Sequence, residues 1–449
     1  MVESAVEGLL SREFLDPAKA RDLERRELGQ ILRFARSEVP FYQSQEIWSG
    51  LPLGASVDRD VLAELPILRK HHIHENFDAL KARRLPNGEL VAGQTRSSGT
   101  TGRPTKVLFG GRAIRMYGLL AQRGMRWARF DPTWKQAVIR LPQNLPRRPD
   151  GSVLADGDAH RSRGWMYVRH WFHTGTMVGF NRTNSAEAQT EWLQKERAQY
   201  LVTFPGSLET LVYACQGKPV DSLLALHSIS ATLTQGMRDR VESATGLTVH
   251  QSYGLNEIGT VALRCEAGRY HVNPEHCLVE IVDENGSPCK AGETGRIVVT
   301  GLTNFVMPLI RYDTGDLGVA VDGACDCGRT LPSFGTIVGR YRPMQYTPEG
   351  TARHVNIIQA TIAELPLEAL SGLREYQIHQ FRDGSFELRL ATKDEDNTRL
   401  TDALRQVWDA QTDVPPPLRI LRVGEVLPTS GGKQQEFTSD FFPPIEEGS

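Results

Sequence analysis

Residues 97–106 read Ser-Ser-Gly-Thr-Thr-Gly-Arg-Pro-Thr-Lys. Glycines and small hydroxylated residues let backbone N–H groups approach phosphate oxygens closely. Ser97, Ser98, Thr100 and Thr101 add hydroxyl donors, while Arg103 and Lys106 add positive charge. No Gly-Lys-Ser/Thr follows the second glycine, so this is not a Walker A loop. A generic stretch of this composition would be a polar surface turn. The long ordered run Ser-Ser-Gly-Thr-Thr-Gly-x-Pro favours a loop that handles phosphate.

Outward from that loop, between about 95 and 340, helical stretches alternate with short β-branched runs such as Val138-Ile139 and Leu201-Val202-Thr203. The alternation predicts an α/β sheet with covering helices. Upstream, Leu28, Ile31, Leu32 and Ala35 fall at helical spacing within an amphipathic helix over 18–36. Two antiparallel strands are expected near 278–282 and 296–300, joined by Asp283-Glu284-Asn285-Gly286, which is good hairpin chemistry. The character changes after Arg340. A hairpin around Asp383-Gly384, a helix with Leu400, Leu404, Val407 and Trp408 on one face, and a strand through Ile420 and Val423 predict a small α+β unit. The expected architecture is therefore a large multi-layer α/β N-terminal domain, residues 1–340, and a smaller α+β C-terminal domain, residues 341–449.

The 449 residues carry 52 basic and 54 acidic side chains, a formal net charge of −2, so nothing electrostatic points to nucleic acid. No apolar run is long enough to span a membrane. The N-terminus is acidic and lacks a signal-peptide core, which makes a cytoplasmic location the expectation. Six cysteines are sparse for this length and are expected as free thiols or metal ligands.

In sequence order, the phosphate-type loop is followed by Tyr253-Gly254-Leu255-Asn256-Glu257, by Arg311-Tyr312-Asp313-Thr314-Gly315-Asp316, by Gly339-Arg340 and by Pro428-Thr429-Ser430-Gly431-Gly432-Lys433. This series resembles the acyl-adenylate-forming superfamily, and most of all its phenylacetate–CoA ligase-like branch. Residues 31–42 and Leu65-Pro66-Ile67-Leu68-Arg69-Lys70 are similar to the opening segment of that branch. The resemblance implies a ligase that joins a small-molecule carboxylic acid, aryl or arylacetic by default, to the AMP moiety of ATP. The acyl group would then go to CoA.

Residue by residue, the resemblance implies that Ser97, Ser98, Gly99, Thr100, Thr101, Gly102 and Lys106 hold phosphates. Ser230 and Ala231 stand in the adenine loop, where Thr232 replaces the usual glutamate. Tyr253 packs on adenine, with Gly254 and Asn256 beside it; Asn256 replaces the usual hydroxyl residue. Glu257 holds Mg²⁺, since a hard cation prefers carboxylate oxygen. Asp316 accepts the ribose hydroxyls and Arg340 contacts ribose or phosphate. Lys433, on a glycine-flanked mobile loop, neutralises charge developing at the α-phosphate. Relatives are often dimers, which makes a homodimer an expectation.

The chain departs from the pattern at the hinge, where Arg342 and Pro343 replace two aspartates; Pro343 fixes one backbone torsion. The expected pantetheine-tunnel pattern is also absent from residues 349–356. The acceptor therefore stays open between CoA, a carrier-protein thiol and an amine. A nucleotide-binding protein without turnover is a third reading, against which the retained Glu257 and Lys433 count. Separately, Cys325-Asp326-Cys327 with Cys265 and His271 upstream offers three thiolates and an imidazole, the donors of a structural Zn²⁺ site. Some proteins of the branch carry such a set in these places. His276 and Cys277 compete as ligands.

Overall fold

The computed structural model describes residues 2–96, 105–166, 168, 172–215, 220–229, 233, 235–340, 343–344, 353–354, 365, 373–392, 397–410, 416–424, 426 and 437–440. Ser97, Ser98, Gly99, Thr100, Thr101, Gly102, Ser230, Ala231 and Lys433 lie outside them.

A hairpin of β1 (Val91–Arg96) and β2 (Lys106–Gly110) brackets the phosphate-type loop, and its register pairs Arg96 with Lys106. The chain then lays down β3 (Gln136–Arg140), β4 (Ala159–Arg163), β5 (Thr176–Asn181), β6 (Tyr200–Thr203), β7 (Ala225–Ser228), β8 (Val249–Leu255), β9 (Gly259–Arg264) and β10 (Tyr270–Val272). Next come β11 (Cys277–Val282), β12 (Thr294–Gly301), β13 (Tyr312–Val319), β14 (Ser333–Phe334) and β15 (Ile337–Arg340).

Nine of these strands form one sheet in the order β14-β10-β9-β8-β7-β6-β3-β5-β4. From β5 to β8 the pairing is parallel; β4 and the β9-β10-β14 extension run antiparallel. Helices Ala186–Glu196, Pro205–Ala214 and Gln235–Thr245 cover one face with an aliphatic cluster that includes Leu193, Leu201, Leu211 and Leu226. The opposite face is aromatic, built on Phe130, Trp165 and Tyr200. Chain order reverses across β3, which has β5 on one side and β6 on the other. Open α/β sheets bind ligands beyond the carboxyl ends of strands at such a switch point. Here Thr203 Oγ1 donates to the Ile139 carbonyl across it, at 3.0 Å.

The second sheet, β11-β12-β13-β15, is antiparallel throughout. The expected turn at Asp283-Glu284-Asn285-Gly286 is present, with Gly286 at φ 85°. The Pro17–Glu38 helix packs on this region through Leu28, Ile31, Leu32 and Ala35, the residues expected from periodicity. Asp16 caps it, accepting from the N–H of Ala18 at 3.0 Å, and Pro17 fills the first turn, where a missing N–H costs nothing. Three long-range anchors tie the N-terminal segment to the second half of the chain. Tyr42 Oη donates to the Pro308 carbonyl at 2.9 Å, Leu68 bridges in parallel to Tyr312, and the N–H of Thr330 donates to the Glu13 carbonyl at 2.8 Å.

Farther along, strands Leu373–Gln380 and Phe386–Thr392 form the hairpin expected around Gly384. Strand Leu418–Val423 adds in parallel to the second of them, and Phe437–Ser439 adds in parallel to the first. The Thr398–Ala410 helix buries Leu400, Leu404 and Trp408 against Phe386, Leu388 and Leu390. Among the described residues no helix is long and apolar enough to cross a membrane.

Candidate active site

Hydroxyl bonds fasten both ends of the loop between β1 and β2. On the entry side Thr95 Oγ1 donates to the Asn256 carbonyl at 2.7 Å. On the exit side the buried Thr105 hydroxyl lies 3.0 Å from His74 Nε2. Lys106 follows at once, its Nζ 5.0 Å from the centre of the Phe77 ring. The loop that sequence chemistry assigns to phosphate thus starts and ends against the turn that carries Glu257 and a short histidine-bearing helix, Lys70–Glu75.

That turn, from Tyr253 to Gly259, reverses β8 into β9. Gly259 has φ 108°, and a Cβ there would fall 2.0 Å from Tyr117 Cε1, so only glycine fits. Tyr117 Oη donates to the neighbouring Ile258 carbonyl at 2.8 Å, which fixes the ring that makes this demand. Behind the turn, His276 bridges Thr303 Oγ1 at 2.8 Å and the Ile258 carbonyl at 2.9 Å. Burial pushes His276 down to about 4, so the ring is neutral near pH 7.

The Asp-Thr-Gly-Asp stretch makes a bulge in β13, with Gly315 at φ 75°. Its backbone donors are satisfied locally. The N–H of Gly315 donates to Asp313 Oδ1 at 3.0 Å, and that of Asp316 to Thr314 Oγ1 at 3.1 Å. The bulge brings Asp316 under β8. Tyr253 Oη donates to Asp316 Oδ2 at 2.8 Å, and Tyr312 Oη donates to Glu257 Oε1 at 3.1 Å. Two tyrosine–carboxylate pairs therefore cross between the sheets. Glu257 and Asp316 are 6% and 8% exposed. Buried carboxylates are kept charged by hydrogen bonds, ion pairs or metals, and here the two phenols supply the hydrogen bonds.

A family model described as AMP-binding enzyme matches residues 20–308. The chain belongs to this family of AMP-binding enzymes. The phenylacetate-coenzyme A ligase of Thermus thermophilus is 26% identical over 385 residues, covering 84% of this chain and 81% of that protein. The Escherichia coli (strain K12) protein of the same name is 25% identical over 379 residues, covering 81% and 80%. Among solved structures, 2-hydroxyisobutyryl-CoA ligase in the postadenylation state with 2-HIB-AMP has a TM-score of 0.72. It is 19% identical and covers 96% of this chain and 91% of that one. These findings put the AMP-binding enzyme in the phenylacetate–CoA ligase-like branch of the acyl-adenylate-forming superfamily.

Of the site residues read from the sequence of this AMP-binding enzyme, Tyr253, Gly254, Asn256, Glu257 and Asp316 come together, and the backbone of Arg340 pairs with Asp316 in β15. Asn256 is exposed beside the loop, with its carbonyl tied to Thr95. Sequence reasoning passed over Tyr312, although it stands inside a motif already quoted, and over Thr95 and Thr105. A phenol next to a motif carries no signal of its direction until β8 and β13 are set side by side.

The cysteine cluster also assembles. Donor atoms of Cys265, His271, Cys325 and Cys327 all lie within 4.8 Å of one another. A tetrahedral zinc with bonds of about 2.3 Å to sulfur sets its sulfurs about 3.8 Å apart; Cys265 Sγ and Cys325 Sγ are 3.7 Å apart. His271 Nδ1 is 3.1 Å from the Leu331 carbonyl and Nε2 3.2 Å from Cys327 Sγ. An Nδ1–H bond to a carbonyl selects the tautomer whose Nε2 lone pair faces the sulfurs, as metal-binding histidines require. Burial, and then the Cys325 sulfur, push the Cys265 thiol up to about 12. His276 and Cys277, the competing donors, are engaged elsewhere, Cys277 Sγ pointing to the Val261 carbonyl at 3.7 Å.

Proposed function

We propose that this enzyme activates a carboxylic acid with ATP, making an acyl-adenylate and releasing pyrophosphate, and then transfers the acyl group to CoA. The observation that carries the reading is the convergence of Glu257, Asp316 and the entry end of the glycine-rich loop at one turn. In the first step an oxygen of the substrate carboxylate bonds to the α-phosphorus, and the bond from that phosphorus to the bridging oxygen of pyrophosphate breaks. In the second, the CoA sulfur bonds to the acyl carbon and AMP leaves.

The residues divide this work. Asp316 accepts the ribose hydroxyls, and Tyr253 steadies its second oxygen. The N–H and hydroxyl groups of residues 97–102, with Lys106, bind the β- and γ-phosphates. Glu257 is the carboxylate that would hold Mg²⁺, which when bound neutralises phosphate charge. Lys433, on the residue 341–449 lid, meets the negative charge that builds on the α-phosphate, where a positioned cation stabilises the transition state most. The named relatives, both phenylacetate-coenzyme A ligases, and the aromatic sheet face of Phe130, Trp165 and Tyr200 support an aryl or arylacetic acid. The cysteine cluster is given Zn²⁺ in a structural role, because four protein donors leave no open position for chemistry.

Exchange of labelled pyrophosphate into ATP tests the reading with a panel of carboxylic acids. Acid-dependent exchange, strongest with an arylacetic acid, is the expected result. A protein that neither binds ATP nor exchanges with any acid overturns it. Arg342 and Pro343 in the hinge favour testing a second acceptor class, so CoA is then compared with amines in the same reaction.

A further inference from the structure

Glu257 is not left to choose its own orientation. Its Oε1 accepts from the hydroxyl of Tyr312, a side chain with no exposed surface whose ring is packed into the main core. A carboxylate has two oxygens, and this bond engages Oε1. A phenol keeps its proton near neutral pH, so Tyr312 is the donor of this bond.

The tyrosine is itself aimed from both sides. Arg311, just before it, has a left-handed backbone at φ 50°. Non-glycine residues hold that conformation only where their surroundings enforce it. Here the Arg311 guanidinium binds Glu280 Oε1 at 3.0 Å and the carbonyls of Leu65 at 2.7 Å and Gly286 at 3.0 Å. Leu68 pairs with the same stretch through bonds to the Arg311 carbonyl and the Asp313 N–H. On the other side lies the Thr314-Gly315 bulge.

We propose that Tyr312 is a positioning residue that sets Glu257 Oε2 toward its divalent cation, an inference that rests on the magnesium role given to Glu257 above. Partners one step behind a metal-binding carboxylate typically change affinity by about 10- to 100-fold when removed. They do so without touching the ion.

The test uses the full chain with a non-hydrolysable ATP analogue and Mn²⁺ as paramagnetic probe, titrated by electron paramagnetic resonance. Tyr312→Phe is expected to weaken Mn²⁺ retention about tenfold. Glu257→Gln should weaken it further, and the double variant should bind no worse than Glu257→Gln alone, because Tyr312 acts through Glu257. Wild-type affinity in a folded Tyr312→Phe protein overturns the proposal, as does a double variant whose loss is the product of the two single losses. If Tyr312→Phe does not fold, Glu257→Asp, which draws the carboxylate away from the hydroxyl, is titrated instead, and unchanged affinity there is equally fatal. Wild-type affinity in Glu257→Gln removes the cation role and this inference with it. Pyrophosphate exchange by the wild type would still stand for the adenylation reading.

Discussion

Tyr253 and Asp316, 63 positions apart and in different sheets, are joined by a buried hydrogen bond of 2.8 Å from phenol to carboxylate. The bond orients the carboxylate through Oδ2. Hydrogen bonds to a charged group contribute about 1.5–3 kcal/mol. Asp316→Asn is therefore expected to raise the KM for ATP about 10- to 100-fold in the pyrophosphate exchange assay. Tyr253→Phe should cost less, because the carboxylate survives. Equal KM values for wild type and Asp316→Asn would refute the ribose assignment.

Lys433→Ala is expected to lower adenylation by at least about 100-fold, the scale of losing one preorganised charge partner in a transition state. Binding of ATP should be nearly unchanged. Transfer to CoA from a chemically supplied acyl-adenylate should also persist. Loss of both half-reactions to the same degree would point to damaged folding and would be visible by circular dichroism.

Zinc content should be one equivalent per chain by elemental analysis. Cys327→Ser should lose the metal and lower the thermal midpoint. Stripping the wild type with a strong chelator should do the same, because a metal that binds only the folded state stabilises it by mass action. Adenylation at low temperature should survive in the stripped protein. A metal-free preparation with full thermal stability would dismiss the site.

Acid should destabilise the fold through His276. The imidazole is neutral in the folded state, pushed down to about 4, but takes a proton near 6.5 when unfolded. Between those values the unfolded chain binds more protons, so stability rises with pH there and is lost as pH falls from 6.5 toward 4. For this one buried group the loss approaches about 3 kcal/mol. Chemical denaturation from pH 7.5 to 4.5 measures it, and His276→Gln should flatten the slope.

Gly259→Ala should destabilise by about 3 kcal/mol or more, since the added carbon meets the Tyr117 ring at a positive φ. Thermal unfolding reads this directly. Tyr117→Leu in the same background should recover part of the loss by opening the space.

Periodicity and turn chemistry made much of the frame legible. Leu28, Ile31, Leu32 and Ala35 gave the N-terminal helix, Gly286 and Gly384 marked real turns, and Leu400, Leu404 and Trp408 marked the C-terminal helix face. Glu257 and Asp316 could be named because motifs concentrate chemistry within a few residues. Strand order could not be read, since the parallel pairing of Leu418–Val423 with Phe386–Thr392 depends on contacts that no local pattern encodes. The same holds for Tyr312, which looks like any core aromatic until a strand from another sheet is laid beside it. His276, which competed with His271 as a ligand because it sits next to a cysteine, has Thr303 and a backbone carbonyl as its neighbours.

The parallel bridge from Leu68 to Tyr312 also governs how the nascent chain matures. At about 5–20 residues per second on the ribosome, the opening segment waits on the order of ten seconds or more for its partner strand. Throughout that interval the bonds that join Leu68 to Arg311 and Asp313 cannot form. Contacts of such sequence separation also slow the search for the native state.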